Sequence, residues 1–244
     1  MNALSLILAL GLPGEARIDR RVPKTLLTEQ GAPTAADKRV LQAGIEELTW
    51  VAALKPSTVG VPAVTDDERE VLEIAVLTVV LRPAARTSRI LSLIHRAIPY
   101  PVLLAAEQQG AVTLSVAHKR RSRNEGGVVV ADPPTVTAPV SETDAEFLAS
   151  LRVSTLPSRD LLALYQGLID RIDALAAARV TGRFDLTIDG VQRRVALDER
   201  ARLEREVLRL RAKAERETQL HRRVDLNLQL QRLGSELERL AANL

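Results

Sequence analysis

The chain has no cysteine, one methionine, one tryptophan, two tyrosines and two phenylalanines. The absence of cysteine excludes disulfides, thiolate metal sites and a cysteine nucleophile, and suits a cytoplasmic protein. With aromatics at 2% of 244 residues, the core must be built from Leu, Val, Ile and Ala. No run reaches the roughly twenty apolar residues that span a bilayer, so no membrane partner is expected. Charge of one sign is lacking as well. The 34 basic and 31 acidic side chains leave a net charge of +3, and any nucleic-acid site must therefore be local.

Motifs that carry chemistry are also missing. The sequence has no phosphate-cradling G-x-x-x-x-G-K-[ST], no G-x-G-x-x-G and no G-x-S-x-G elbow. His95, His118 and His221 stand far apart in no metal-ligand spacing. A restriction-type nuclease would hold magnesium through an acidic residue and a Glu-x-Lys strand. Glu73 and Glu107 lie in or beside expected strands, but neither has a lysine two residues on. The expectation is no catalytic residue, no metal and no cofactor.

What is present is a series of secondary-structure signals. The apolar start, residues 3–12, lacks a basic flank and a small-x-small cleavage site and reads as a short buried helix, not a leader. Val22-Pro23-Lys24 opens an extended or turn segment, because the residue before proline is pushed out of the α region. Thr34-Ala-Ala-Asp37 has the form of an N-cap with a first-turn acid. Val40, Leu41, Ile45, Leu48 and Val51 follow at helical spacing and predict one helix to Leu54-Lys55-Pro56, with Trp50 anchored in its apolar side or serving an interface. The β-branched run of residues 71–81 predicts a buried strand. A helix over 88–97 turns Ile90, Leu91 and Ile94 inward. Further strands are expected at 101–106, 112–118 and 128–140, with hairpin breaks at 108–110 and 121–127. Tyr100, between two prolines, fixes a turn into the sheet, and Tyr100-Pro101 is a candidate cis bond. A helix capped at Ser158 runs to about residue 178, with Leu161, Leu164, Leu168, Ile169 and Ile172 inward. Residues 184–190 alternate as a short strand or linker.

The whole reads as α+β: a small, mostly antiparallel sheet flanked by helices, followed by a long C-terminal coiled-coil-like helix or helical hairpin. The expected divisions are 1–157 for the α+β domain, 158–196 for a helix and connecting segment, and 197–244 for the helical appendage. In the appendage Leu226, Leu230, Leu233, Leu237, Leu240 and Leu244 recur in steps of four and three, the seam of a coiled coil. An earlier seam, Leu203, Val207, Leu210 and Ala214, extends to Val224 and Leu228 instead. The twelve steps from Ala214 to Leu226 rotate the stripe by roughly 120° on a straight helix. A continuous helix over 198–243 would run roughly 70 Å and contact partners on two faces, the two meeting at 224–230. The alternative is a break near Thr218 and an intramolecular hairpin.

Several segments in chain order resemble a bacterial family known only as a domain of unknown function. They are Val22-Pro23-Lys24, the Thr34 to Lys38 start, Trp50 with Leu54-Lys55-Pro56, Ile98-Pro99-Tyr100-Pro101, and Gln219-Leu-His-Arg222-Arg223-Val-Asp-Leu-Asn227. The resemblance implies a gene beside DNA methyltransferases and helicase-type restriction subunits, in loci resembling phage-defence systems. It supplies no catalytic residues. Leu220 and His221 depart from the family's pattern, which has an aromatic and an Asn there.

The functional expectation is a non-catalytic accessory or adaptor subunit of a DNA-modification or helicase-type defence complex. Its partner would be a helicase or methyltransferase subunit, held through Val224, Leu226, Leu228, Leu230, Leu233, Leu237 and Leu240. DNA is a second candidate partner, through the one dense basic cluster, Lys119, Arg120, Arg121 and Arg123, in an expected hairpin loop suited to phosphates or to plain solvation. The alternatives are a divergent nuclease or DNA-processing enzyme, and a coiled-coil homodimer without a DNA role.

Overall fold

The computed structural model describes residues 1–121, 129–242 and 244. They form two compact units, Met1–Ile172 and Asp173–Leu244. The first is α+β. Its helices are α1 (Ala3–Leu8), α2 (Lys24–Gln30), α3 (Ala35–Gly44), α4 (Pro56–Val59), α5 (Thr87–Ala97), α6 (Ala145–Ser150) and the first half of α7 (Leu161–Thr181). Its strands are β1 (Arg17–Arg21), β2 (Ile45–Leu54), β3 (Val64–Thr65), β4 (Glu70–Val71), β5 (Ile74–Leu81), β6 (Val102–Gln108), β7 (Ala111–Val116), β8 (Lys119–Arg121), β9 (Val129–Ala131) and β10 (Thr135–Val136). Six strands make one sheet in the order β1-β2-β5-β6-β7-β10, while β3-β4 and β8-β9 are separate two-stranded ribbons.

Every neighbour pair in the large sheet is antiparallel except β5 with β6. A parallel pair needs a crossover connection, and α5 supplies it. Because β5 and β6 are covered on both faces, they read as nearly unbroken apolar runs without alternation. On one face Ala75, Leu77, Val79, Leu81, Leu104 and Ala106 pack with Leu27, Leu41, Ile90, Leu91 and Ile94 from α2, α3 and α5. On the other, the Ala3 N–H of α1 donates to Glu107 of β6 at 3.0 Å. The buried Tyr165 hydroxyl ties α7 to the sheet end, accepting from Ala117 N at 2.9 Å and lying 2.9 Å from Val102 O. Between β6 and β7, Gln109 and Gly110 both have positive φ, as a two-residue hairpin turn requires.

Three local expectations are corrected. The helix starting at Thr34 is capped as expected, with Thr34 Oγ1 accepting from Asp37 N at 3.1 Å, but it stops at Gly44 and the chain continues as β2. Register shifts between Ile45 and Glu47 and between Trp50 and Ala52 mark irregularities in β2. An extra residue at a bulge turns a period of two into an apparent period of three, so buried Ile45, Leu48 and Val51 mimic a helical face. Pro23 does not open a loop. It precedes the first helical residue of α2, where a fixed φ and a missing N–H suit a helix start. The Tyr100-Pro101 bond is trans, since no cis peptide bond occurs among the described residues.

In the second unit, α8 (Gly190–Arg216) and α9 (Leu220–Ala241) form a helical hairpin, with residues 217–219 as the connection. Of the two expected arrangements, the hairpin with its break at Thr218 is the one formed, with helices of about 40 and 33 Å in place of a continuous one of about 70 Å. Glu217 turns extended, and its carboxylate accepts from Gln219 N at 2.9 Å. Leu210, Ala214 and Leu226 form the buried seam, with Leu230 and Leu233 packed beside it. Arg200 reaches the Leu237 carbonyl across the pair at 3.5 Å. From the first turn of α8, the buried Arg193 guanidinium donates to the carbonyls of Asp185 and Ile188 at 2.7 and 3.0 Å, fastening the preceding segment, which is not a strand. No described helix is long and apolar enough to cross a membrane.

Close packing at α2 gives a test. A Cβ on Gly31 would sit 2.5 Å from Ala97 Cβ and 2.8 Å from the Leu93 carbonyl oxygen, both on α5, whereas one on Gly234 of α9 meets nothing within 4 Å. Gly31→Ala is expected to lower the unfolding free energy by about 1–3 kcal/mol, and Gly234→Ala to raise it by about 0.4–1 kcal/mol. Urea denaturation followed by circular dichroism checks both.

Candidate functional site

The basic ribbon is less available than its sequence implies. Lys119, first residue of β8, is buried, and its ammonium donates to the carbonyls of His95 and Ile98. It therefore satisfies the free carbonyls at the end of α5, as a cation at a helix C-terminus does. Burial pulls its pKa down to about 8. Arg120 lies 3.6 Å from Asp132 and Arg121 3.5 Å from Glu70, both half-exposed pairs. Such pairs contribute about 0–1 kcal/mol and leave these two side chains able to rearrange. Arg123 lies outside the described residues.

Beneath the ribbon, His95 Nε2 is 2.8 Å from Ser115 Oγ, and both residues are fully buried. Its Nδ1 has no hydrogen-bond partner among the described residues. Burial, and secondarily the nearby Lys119 charge, pushes the imidazole down to about 3, so the ring is neutral. The two carboxylates considered for magnesium are held apart in structural roles: Glu73 by Lys55 at 2.9 Å, Glu107 by the start of α1. Among the described residues, no group of three or more His, Asp or Glu is placed to hold a metal ion.

The leucine seam divides between two environments. Leu226 is buried, and Leu230, Leu233, Leu237 and Leu240 are half-buried along α9. Val224 and Leu228 stand exposed, and with Leu220 they form an i, i+4, i+8 row on an outer face of α9. Arg222 and Arg223 flank that row, and neither forms an ion pair among the described residues.

A second surface was not singled out by sequence. A groove of about 550 Å³ opens between β1, α2, β2 and the end of α5, walled by Ile18, Pro23, Leu26, Trp50, Ile98 and Tyr100 with Arg20 and Arg21 among its lining. Within β1, Asp19 has a φ of 48°, at the point where the register with β2 shifts between Arg17 and Arg20. Asp tolerates this left-handed conformation better than most residues, and Arg17 bonds its carboxylate at 2.8 Å. After the irregularity Arg20 stands directly opposite Trp50. The indole is fixed by donating to Ala52 O at 2.9 Å. Lys24 donates to Ile45 O, and its pKa is lowered first by burial and then by the neighbouring Arg82 and Arg21 charges. The groove collects Val22, Pro23, Trp50, Ile98, Pro99 and Tyr100, residues from three separate segments that carried the family resemblance. That grouping was the signal available in the sequence, but nothing local joins residue 22 to residues 50 and 98.

The profile of a family described as "Domain of unknown function (DUF4391)" matches residues 10–237. No curated protein matches the chain, and no solved structure does.

The buried imidazole sets a pH dependence. With a folded pKa near 3 against an ordinary 6.5, only the unfolded chain takes up this proton between those values. The stability from this group is therefore complete above about pH 6.5 and is lost as pH falls toward 3. Urea midpoints measured from pH 7 to 4 should fall more steeply for the native chain than for His95→Gln. Parallel curves would show that His95 does not titrate this way.

Proposed function

The chain belongs to the DUF4391 family, domains of unknown function, and for this member we propose a role as a cytoplasmic, non-catalytic accessory subunit of a DNA-modification or helicase-type defence complex. It grips a partner with the outer face of α9. The observation that carries this reading is the exposed row Leu220, Val224 and Leu228 on a helix whose other face is already packed against α8. An apolar row left in water beside unpaired guanidinium groups fits an amphipathic partner helix with Asp or Glu beside its own apolar row. Leu220 and Val224 fall within the segment 219–227, which contributes to the resemblance to proteins encoded beside methyltransferase and helicase genes, and Leu228 follows it directly; such subunits are the proposed partner. At Leu220 the side chain differs from the family's aromatic but stays apolar.

The seam residues Leu226, Leu230 and Leu233 have a different role in this account. They hold the hairpin closed, and the partner meets the opposite side.

The test is co-purification of the full chain with a methyltransferase or helicase subunit, the proposed partner. Changing Leu220, Val224 and Leu228 together to Asp should reduce partner recovery by at least about tenfold while leaving helical circular dichroism unchanged, because all three side chains are exposed in the folded chain. Equal recovery would reject the docking face. Light scattering that shows a dimer of the chain alone, dispersed by the same substitutions, would reject the hetero-partner in favour of self-association.

A further inference from the structure

The groove beside Trp50 adjoins a second cavity at the end of α2. Gln30 lines both this groove and a neighbouring cavity of about 510 Å³ that runs on past Arg96 to the 129–134 segment. Arg20, Arg21 and Arg96 are exposed and form no ion pair among the described residues. The two neighbouring cavities, which share Gln30, thus combine exposed cations with an apolar wall that carries two aromatic rings in a chain otherwise poor in them; Arg20 and Arg21 have no acidic partner among the described residues, whereas the Arg96 charge also acts on Asp37. Unpaired guanidinium groups attract phosphates, and flat rings accept the face of any base. A single apolar ligand would leave the arginines unused, and a duplex cannot turn a base face toward Trp50 without opening.

We propose that this surface binds single-stranded nucleic acid. One unpaired base lies against the Trp50 and Tyr100 side of the groove, its adjoining phosphates face Arg20 and Arg21, and the strand continues past Gln30 toward Arg96. A strand is favoured over a free nucleotide because the two cavities adjoin at Gln30 and the cations are distributed along both. The site is independent of the α9 docking face: neither reading needs the other.

Trp50 is the only tryptophan in the chain, so its fluorescence reports this groove alone. Titrating the full protein with a twelve-nucleotide oligothymidylate should quench that emission to saturation, and affinity should weaken as salt rises. Thymidine monophosphate should bind at least about tenfold more weakly, and a duplex of equal length should not quench. Arg20→Gln with Arg21→Gln should weaken oligonucleotide binding by about tenfold or more and flatten the log–log salt slope by roughly 1.4, the value for two lost single-strand phosphate contacts. Tyr100→Leu should weaken binding with the slope unchanged. Both arginines are exposed and unpaired, so unaltered circular dichroism will show that the double variant is folded. Absence of quenching at low salt, equal binding of monophosphate and oligonucleotide, or native affinity in the double arginine variant would each overturn the proposal.

Discussion

The parallel pairing of β5 with β6 is the constraint around which the first unit is arranged. Two neighbouring parallel strands require the chain to return across a face of the sheet, and α5 makes that return over Leu77, Leu104 and Ala106. Because aromatic bulk is scarce, aliphatic side chains must fill this layer closely, and small residues allow the approach of α2 to α5 at Gly31 and Ala97. The end of α5 is then fixed twice. Lys119 takes its free carbonyls, and Ile98, Pro99 and Tyr100 carry the chain into β6 as one wall of the groove. The most basic-looking segment of the sequence thus places its first lysine in the service of the fold.

The opposite wall comes from an edge strand. Arg17, Arg20 and Arg21 lie along the edge strand β1, where charges keep an exposed edge from pairing with another chain. The left-handed Asp19 gives them a more specific arrangement, with Arg20 across from Trp50. A backbone conformation that disfavours most side chains, placed beside an open cavity, is the kind of local strain that collects at functional positions. In the second unit the same economy of surface applies in reverse: α9 uses one face to close the hairpin and leaves the other in solvent.

Much of the fold was legible because its signals were local. Thr34 and Asp37 announce a cap, the buried runs of β5 and β6 announce central strands, and Leu161 to Ile172 announce the inner face of α7. The errors also have physical causes. Irregular register in β2 gave Ile45, Leu48 and Val51 a helical spacing. The turn at residues 217–219 contains neither glycine nor proline, so composition alone favoured an unbroken helix, although the shift of register between Ala214 and Leu226 recorded the change of face. The groove could not be read in advance, since Arg20, Trp50 and Tyr100 meet only through sheet order and the crossover. Of the basic cluster, charge was legible but burial was not: only the fold places Lys119 under the ribbon.

In the helical unit α9 closes one face against α8 and leaves the other, the proposed partner face, in solvent. The absence of native cysteine allows a direct measurement, in which the rate of thiol labelling is followed at Val224→Cys, Leu226→Cys and Leu228→Cys, one at a time, with and without the partner. In the free chain, positions 224 and 228 should react rapidly and position 226 slowly, and partner binding should protect 224 and 228 while leaving 226 unchanged. Rapid labelling at 226 in the free chain, or undiminished labelling at 224 and 228 in the complex, would contradict the account.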